Sequence, residues 1–264
     1  QYQHITKVMF EKFMTRLTFI LFAMTLLMAV TNNANANGIY ISQVGDGADI
    51  EITQDGDNNR VSSKNNSVTS TPNNATFRGE NQTMTLTQTG DDNFIGLYKH
   101  TYGSDTQTSS TMTGTQTGDD NIMRLDNHGD NNNITAEQYT HGSTMDIEID
   151  YNNNDVVAKQ YCHVGASCNA DSMVMNIRGN NNDVQAGQGY KITSSGNWSV
   201  DNSEHGGHEM DLYINGDGND VKLSQRANNT TSDHYMDINI NSDDNNVHVM
   251  QQQNQDKSLT LTIN

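Results

Sequence analysis

An 11-residue beat of strand and turn constrains this chain more than any other feature. Its clearest stretch is Ile39-Tyr40-Ile41-Ser42-Gln43-Val44-Gly45-Asp46-Gly47-Ala48-Asp49, then Ile50-Glu51-Ile52-Thr53-Gln54-Asp55-Gly56-Asp57-Asn58-Asn59-Arg60. With the first apolar residue as position 0, apolar residues fall at 0 and +2, Gln often at +4, Gly often at +6 and Asn often at +9. A unit this short cannot bury its apolar face alone and must stack on its neighbours. The expectation is a solenoid.

Position 0 falls at Ile39, Ile50 and Val61, and returns at Met84 and Ile95. An unbroken run follows at Met112, Met123, Ile134, Met145 and Val156. Pairs come next, Met173 with Val184, Met210 with Val221 and Met236 with Val247, and Leu259 opens a last strand. Fixed spacing within pairs is what a packed core demands, whereas variable gaps between pairs are what surface loops tolerate. Alternation within strands is strict. Met145, Ile147, Ile149, Met173, Met175, Ile177, Met210, Leu212, Ile214, Met236, Ile238 and Ile240 are expected in the core. Asp146, Asp211 and Asp237 fall on the opposite parity and are expected outside. Turns such as Gly90 to Asn93, Gly118 to Asn121 and Gly216 to Asn219 use residues that tolerate positive φ. The fold expected is all-β: a parallel solenoid of two strands per rung and about eight rungs, with loop insertions.

Parity also puts a run of amides indoors: Gln43, Gln54, Gln88, Gln116, Gln138, Gln160, Gln188, Gln225 and Gln251. Strands one rung apart lie about 4.8 Å from each other. At that spacing stacked Gln side chains hydrogen-bond up and down as a ladder. Such a ladder enforces register as much as it stabilises, because an unmade buried bond costs more than a made one contributes.

Apolar content is only 33%, with one Trp and one Pro, Pro72. The poverty would suit disorder, but a two-layer solenoid needs only a thin core. Scarce Pro suits a chain that is almost all strand ladder. Residues 1–36 differ in kind: Lys7, Lys12 and Arg16 precede an apolar run from Leu17 to Val30, then Ala34-Asn35-Ala36. This reads as a secretory signal peptide with an overrun before the true start, and its apolar part is too short for a membrane span. The solenoid domain is then residues 37–264. It holds 11 basic and 31 acidic residues, a net charge of −20, which argues against nucleic acid or an anionic membrane as partner. Cys162 and Cys168 lie close together between two strands; in an oxidising compartment they are expected to form a clasp that holds a loop rather than the fold.

The pattern apolar-x-apolar-x-Gln-x-Gly-x-x-Asn-x-apolar resembles the curlin repeat of bacterial curli fibres. Ile39 to Gln54, Met84 to Leu97 and Thr113 to Gln138 carry it best, and the terminal Gln persists at Gln160, Gln188, Gln225 and Gln251. Ile149, Ile177, Ile214 and Ile240 depart from it at +4, and the insertions are longer than in the compact family repeat. The resemblance implies a secreted subunit that polymerises with copies of itself into functional amyloid for adhesion and biofilm matrix. It also implies a related nucleating or major subunit and an outer-membrane secretion channel as partners.

Other chemistry is thinner. Gly216-Asp217-Gly218-Asn219-Asp220-Val221-Lys222-Leu223 is similar to half of a calcium β-roll site, but the full pattern occurs once and the period is wrong. His205-Gly206-Gly207-His208 could hold a transition metal, although a polar loop explains it as well. No nucleophile motif or phosphate loop is present, so neither catalysis nor a cofactor is expected. Two rivals to the fibre subunit remain, a monomeric ice-binding solenoid and a calcium-dependent secreted β-roll. Thr85, Thr87, Thr113, Thr115, Thr260 and Thr262 favour the first, but Asp146, Asp211 and Asp237 interrupt such a face. Neither end of the repeat carries an obvious polar cap, so both ends are expected to template further strands.

Overall fold

A computed structural model of the chain describes residues 37–43, 47, 49–63, 75–77, 82–99, 110–162, 171–193, 195–200, 208–227, 234–253 and 257–264. The signal-like segment 1–36, Pro72, Cys168 and His205 lie outside them. Among the described residues there is no helix.

The alternating segments become strands wherever the beat is intact. The first are β1 (Gly38–Ile39), β2 (Ile41–Gln43), β3 (Asp49–Asp55), β4 (Arg60–Ser63) and β5 (Ala75–Phe77). Next come β6 (Thr83–Thr89), β7 (Phe94–Lys99), β8 (Thr111–Thr117), β9 (Ile122–Asn127) and β10 (Asn133–Tyr139). Then follow β11 (Thr144–Asp150), β12 (Asp155–Tyr161), β13 (Ser172–Arg178), β14 (Asp183–Gln188), β15 (Tyr190–Ile192) and β16 (Trp198–Val200). The last are β17 (His208–Asn215), β18 (Asp220–Ala227), β19 (His234–Ile240), β20 (Asn246–Gln253) and β21 (Lys257–Ile263).

Successive strands alternate between two parallel sheets. One has nine strands in the order β1-β4-β7-β9-β11-β13-β17-β19-β21; the other has eight, β20-β18-β14-β12-β10-β8-β6-β3. The protein is a parallel β-solenoid of about eight rungs, as its period predicts. Register is kept from rung to rung: Met145 pairs with Met173, Met173 with Met210, Met210 with Met236 and Met236 with Leu259. All twelve expected core residues are buried, and they join Val156, Val184 and Val221 from the facing sheet in one cluster. Asp146, Asp211 and Asp237 stand on the outer face, half-buried. A one-residue slip would turn these carboxylates inward, at a cost of several kcal/mol each.

The two sheets are chemically unequal. The nine-stranded sheet carries Ile149, Ile177, Ile214 and Ile240 at +4, and the eight-stranded sheet carries Gln there. The Ile departures from the repeat are therefore confined to one sheet, in its strands from β11 onward, whereas β9 carries Asn127 at that position.

The edge that carries the long connections changes part-way along the solenoid. Residues 64–82 and 100–110 lead from the nine-stranded sheet to the eight-stranded one. Residues 162–171, 189–207 and 228–233 lead the other way. The change falls at β9 to β11, where both connections are short. Compact turns occupy whichever edge is left. Their third residue has positive φ at Asn58, Asp92, Asp120, Asn131, Asn153, Asn181 and Asp244, and the equivalents Gly142 and Gly218 share it. At the first turn position rungs nearly touch: a Cβ on Gly90 would lie 2.4 Å from the Gly118 carbonyl oxygen.

The 189–207 connection adds a feature the beat does not announce. β15 and β16 form an antiparallel hairpin. It lies on the outer face of the eight-stranded sheet, where the His248 ring contacts the Ile192 carbonyl at 3.1 Å. Tyr190 and Trp198 meet edge to face at 5.5 Å, and Lys159 sits 5.3 Å from the Trp198 ring centre. Gly187 makes room, since a Cβ there would be 2.9 Å from Trp198.

Candidate functional site: the axial side-chain columns

Stacking in register converts sequence repeats into columns along the solenoid axis. The longest is glutamine. Each Nε2 donates to the Oε1 of the next rung: Gln54 to Gln88 at 2.7 Å, Gln88 to Gln116 at 3.0 Å, Gln116 to Gln138 at 2.9 Å and Gln138 to Gln160 at 2.8 Å. The column continues from Gln160 to Gln188 at 2.7 Å, to Gln225 at 3.3 Å and to Gln251 at 3.1 Å. Gln88, Gln116, Gln138, Gln160, Gln188 and Gln225 are fully buried.

The second N–H of each amide does separate work. Gln116 donates to the Phe94 carbonyl, Gln138 to Ile122, Gln160 to Thr144, Gln188 to Ser172 and Gln225 to Glu209. These carbonyls occupy one register position of the nine-stranded sheet. The column thus ties rung to rung and sheet to sheet. Gln43 does not belong to it. Its strand, β2, pairs with β5 in a separate two-stranded sheet, and Gln43 stands opposite Phe77. The reason is parity: Ile39 pairs with Val61 in the nine-stranded sheet, whereas the Gln column belongs to the other. The Gln43 side chain lies outside the described residues.

Asparagine builds two further columns, one on each edge. Asn93 N–H donates to Asn59 Oδ1 and Asn121 N–H to Asn93 Oδ1, both at 3.1 Å. On the other edge Asn154, Asn182, Asn219 and Asn245 each donate a backbone N–H to the Asn of the preceding rung, starting at Asn132. The turn residues just before them are linked likewise. Asp57 N–H donates to an Asp91 carboxylate oxygen, Asp91 N–H to Asp119, Asn180 N–H to Asp217 and Asp217 N–H to Asp243. Acidic turns stack, but each of these carboxylates accepts a backbone N–H.

The first Asn column changes identity as it ascends. After Asn121 come Ser143, Asp171, His208 and His234. Asp171 is 1% exposed and accepts the His208 N–H at 2.8 Å. Burial raises its carboxyl to about 7. His208 and His234 are buried and stacked, ring centres 5.5 Å apart. Burial, with the neighbouring His234, lowers the His208 imidazole to about 3. His208 therefore stands in a packed column rather than in a polar loop. This buried titratable run escaped the sequence reading because the long connections hide its register.

Cys162 is disulfide-bonded; Cys168, the sequence's other cysteine, lies outside the described residues. Gly216 to Asn219 forms one member of the turn stack, with Asp217 committed to the Asn180 N–H at 2.6 Å. The threonine face covers β6 and β8 and is broken in the next rungs by Glu137 and Lys159, which pair at 2.9 Å.

No family model, curated protein or solved structure matches this chain.

Proposed function

We propose that this protein is a secreted structural subunit of a curli-like extracellular amyloid fibre, serving adhesion and the biofilm matrix. The observation that carries the reading is the glutamine column. Eight identical amides share one register across parallel strands about one rung apart, and such a column can be continued by a further copy without new chemistry. Among the described residues β3 and β20 close one sheet and β1 and β21 the other, each with one unpaired edge. Edge strands of this kind recruit strands of another chain. Ile50, Ile52, Leu259, Leu261 and Ile263 at these edges are only partly buried.

In this reading residues 1–36 direct export. The partners are copies of the chain, a related nucleating or major subunit, and an outer-membrane secretion channel. The work is mechanical, with no catalysis and no cofactor. Thioflavin fluorescence of purified residues 37–264, with calcium and with chelator, tests it. Fibres under both conditions support the subunit. Fibres or folding only with calcium would indicate a β-roll, and lasting monomers a ligand-binding solenoid.

A further inference from the structure

We propose that His128, Glu148 and Asp150 form a binding site for a first-row divalent metal such as zinc, with Asp126 orienting the imidazole from behind. Asp126 stands on β9 and Glu148 and Asp150 on the adjacent β11 of the nine-stranded sheet, and His128 immediately follows β9. The register pairs Glu148 with Asp126, and the His128 N–H donates to the Ile149 carbonyl at 2.8 Å, which sets His128 beside Asp150. The residues lie two beats apart in sequence and meet only because a rung is two beats long.

The geometry around the imidazole is asymmetric. Nε2 is 2.7 Å from Asp126, whose side chain is 2% exposed. Nδ1 is 2.8 Å from Asp150 Oδ1. A neutral imidazole has one N–H and one lone pair. Both ring nitrogens face carboxylate oxygens, so Nδ1 carries either a second proton donated to Asp150 or, in its place, a metal ion. A carboxylate behind the imidazole is also the usual support of a metal-bound histidine, fixing its tautomer and raising its basicity.

The third ligand is in place. One atom each from His128, Glu148 and Asp150 lies within 4.8 Å of the others. Tetrahedral bonds of about 2.0–2.2 Å require separations of about 3.4 Å, so Nδ1 and Asp150 Oδ1, now 2.8 Å apart, must open slightly to admit an ion, with Glu148 within reach. The three side chains are half-buried rather than packed solid. One imidazole nitrogen and two carboxylates suit zinc, copper or nickel better than calcium. A fourth position opens on a cavity of about 360 Å³ lined by His128, Asp150, Tyr151 and Asn152. Arg178 Nε, 3.3 Å from Asp150 Oδ2, holds that carboxylate from the opposite side. A bound ion would staple β9 to β11, the rung at which the long connections change edges.

Zinc chloride is titrated calorimetrically into residues 37–264 in millimolar calcium, which occupies carboxylate-only sites. Cobalt(II) absorption then reports coordination geometry. One equivalent of zinc and a tetrahedral cobalt spectrum are expected. His128→Asn and Glu148→Gln should abolish or weaken uptake, and Asp126→Asn should lower affinity about tenfold with stoichiometry kept. Far-ultraviolet dichroism confirms that each variant keeps its strands. No zinc uptake in calcium, or uptake unchanged in both His128→Asn and Glu148→Gln, overturns the site. The readout does not depend on whether the chain polymerises.

Discussion

Removing one amide from the middle of the glutamine column shows what that column is worth. Gln138→Leu leaves Gln116 without its acceptor and removes the donor to both the Ile122 carbonyl and Gln160. A buried group left unpaired costs about 1–3 kcal/mol. The midpoint of urea unfolding should fall by the equivalent of about 2 kcal/mol or more, whereas the same change at exposed Gln252 should barely move it. The Asp171 and His208 pair gives a pH test. Asp171 holds its proton more tightly folded than unfolded, so its contribution is present below about pH 4 and is lost as pH rises to about 7. His208 holds its proton less tightly folded, so its contribution is present above about 6.5 and is lost as pH falls toward about 3. The slopes oppose each other from about pH 4 to 6.5. Relative to the natural protein, Asp171→Asn should gain stability with rising pH across that window, and His208→Asn should lose it. Unfolding midpoints across a pH series read both, and parallel profiles for all three proteins would refute the assignment.

At the scale of turns and strands, two glycines separate close stacking from backbone strain. Gly90 combines φ +106° with a neighbouring carbonyl 2.4 Å from where a Cβ would sit, while Gly142 has φ +69° and open space. Gly142→Ala should cost about 1 kcal/mol from conformation alone. Gly90→Ala should cost clearly more, because the whole turn must shift away from the next rung. Thermal unfolding of the two variants decides it. The strands themselves were legible because alternation and an 11-residue period survive at Met145, Met173, Met210 and Met236. The edge change was not legible. Met112 to Val156 keeps one unbroken spacing through it, so both edges look alike in sequence. Gln43 was misplaced for a related reason: its own beat fits the repeat, but its strand follows the parity of Ile39 and so lies off the Gln sheet.

For the whole molecule, charge and register compete. Residues 37–264 carry a net charge of −20, and their acidic turns stand one above another. Backbone N–H groups hold several of these carboxylates, so stacking within the chain is tolerated. Bringing two copies together adds long-range repulsion, which salt screens over about 8 Å at physiological strength. The assembly lag should shorten with added salt and as pH falls toward the carboxylate range near 4, and a lag indifferent to both would exclude the electrostatic brake. The Gln column could be read from the period, and the recurrent Asn at +9 without its role. The His128 cluster and the Asp171–His208–His234 run could not, because single titratable residues become neighbours only once the rung length and the paths of the long connections are known. The most direct test of the central claim is X-ray diffraction from aligned fibres grown from residues 37–264. A solenoid that continues its own rungs from copy to copy predicts a sharp meridional reflection at about 4.8 Å with an equatorial one near 10 Å. Persistent monomers, or aggregates without the meridional reflection, would contradict it.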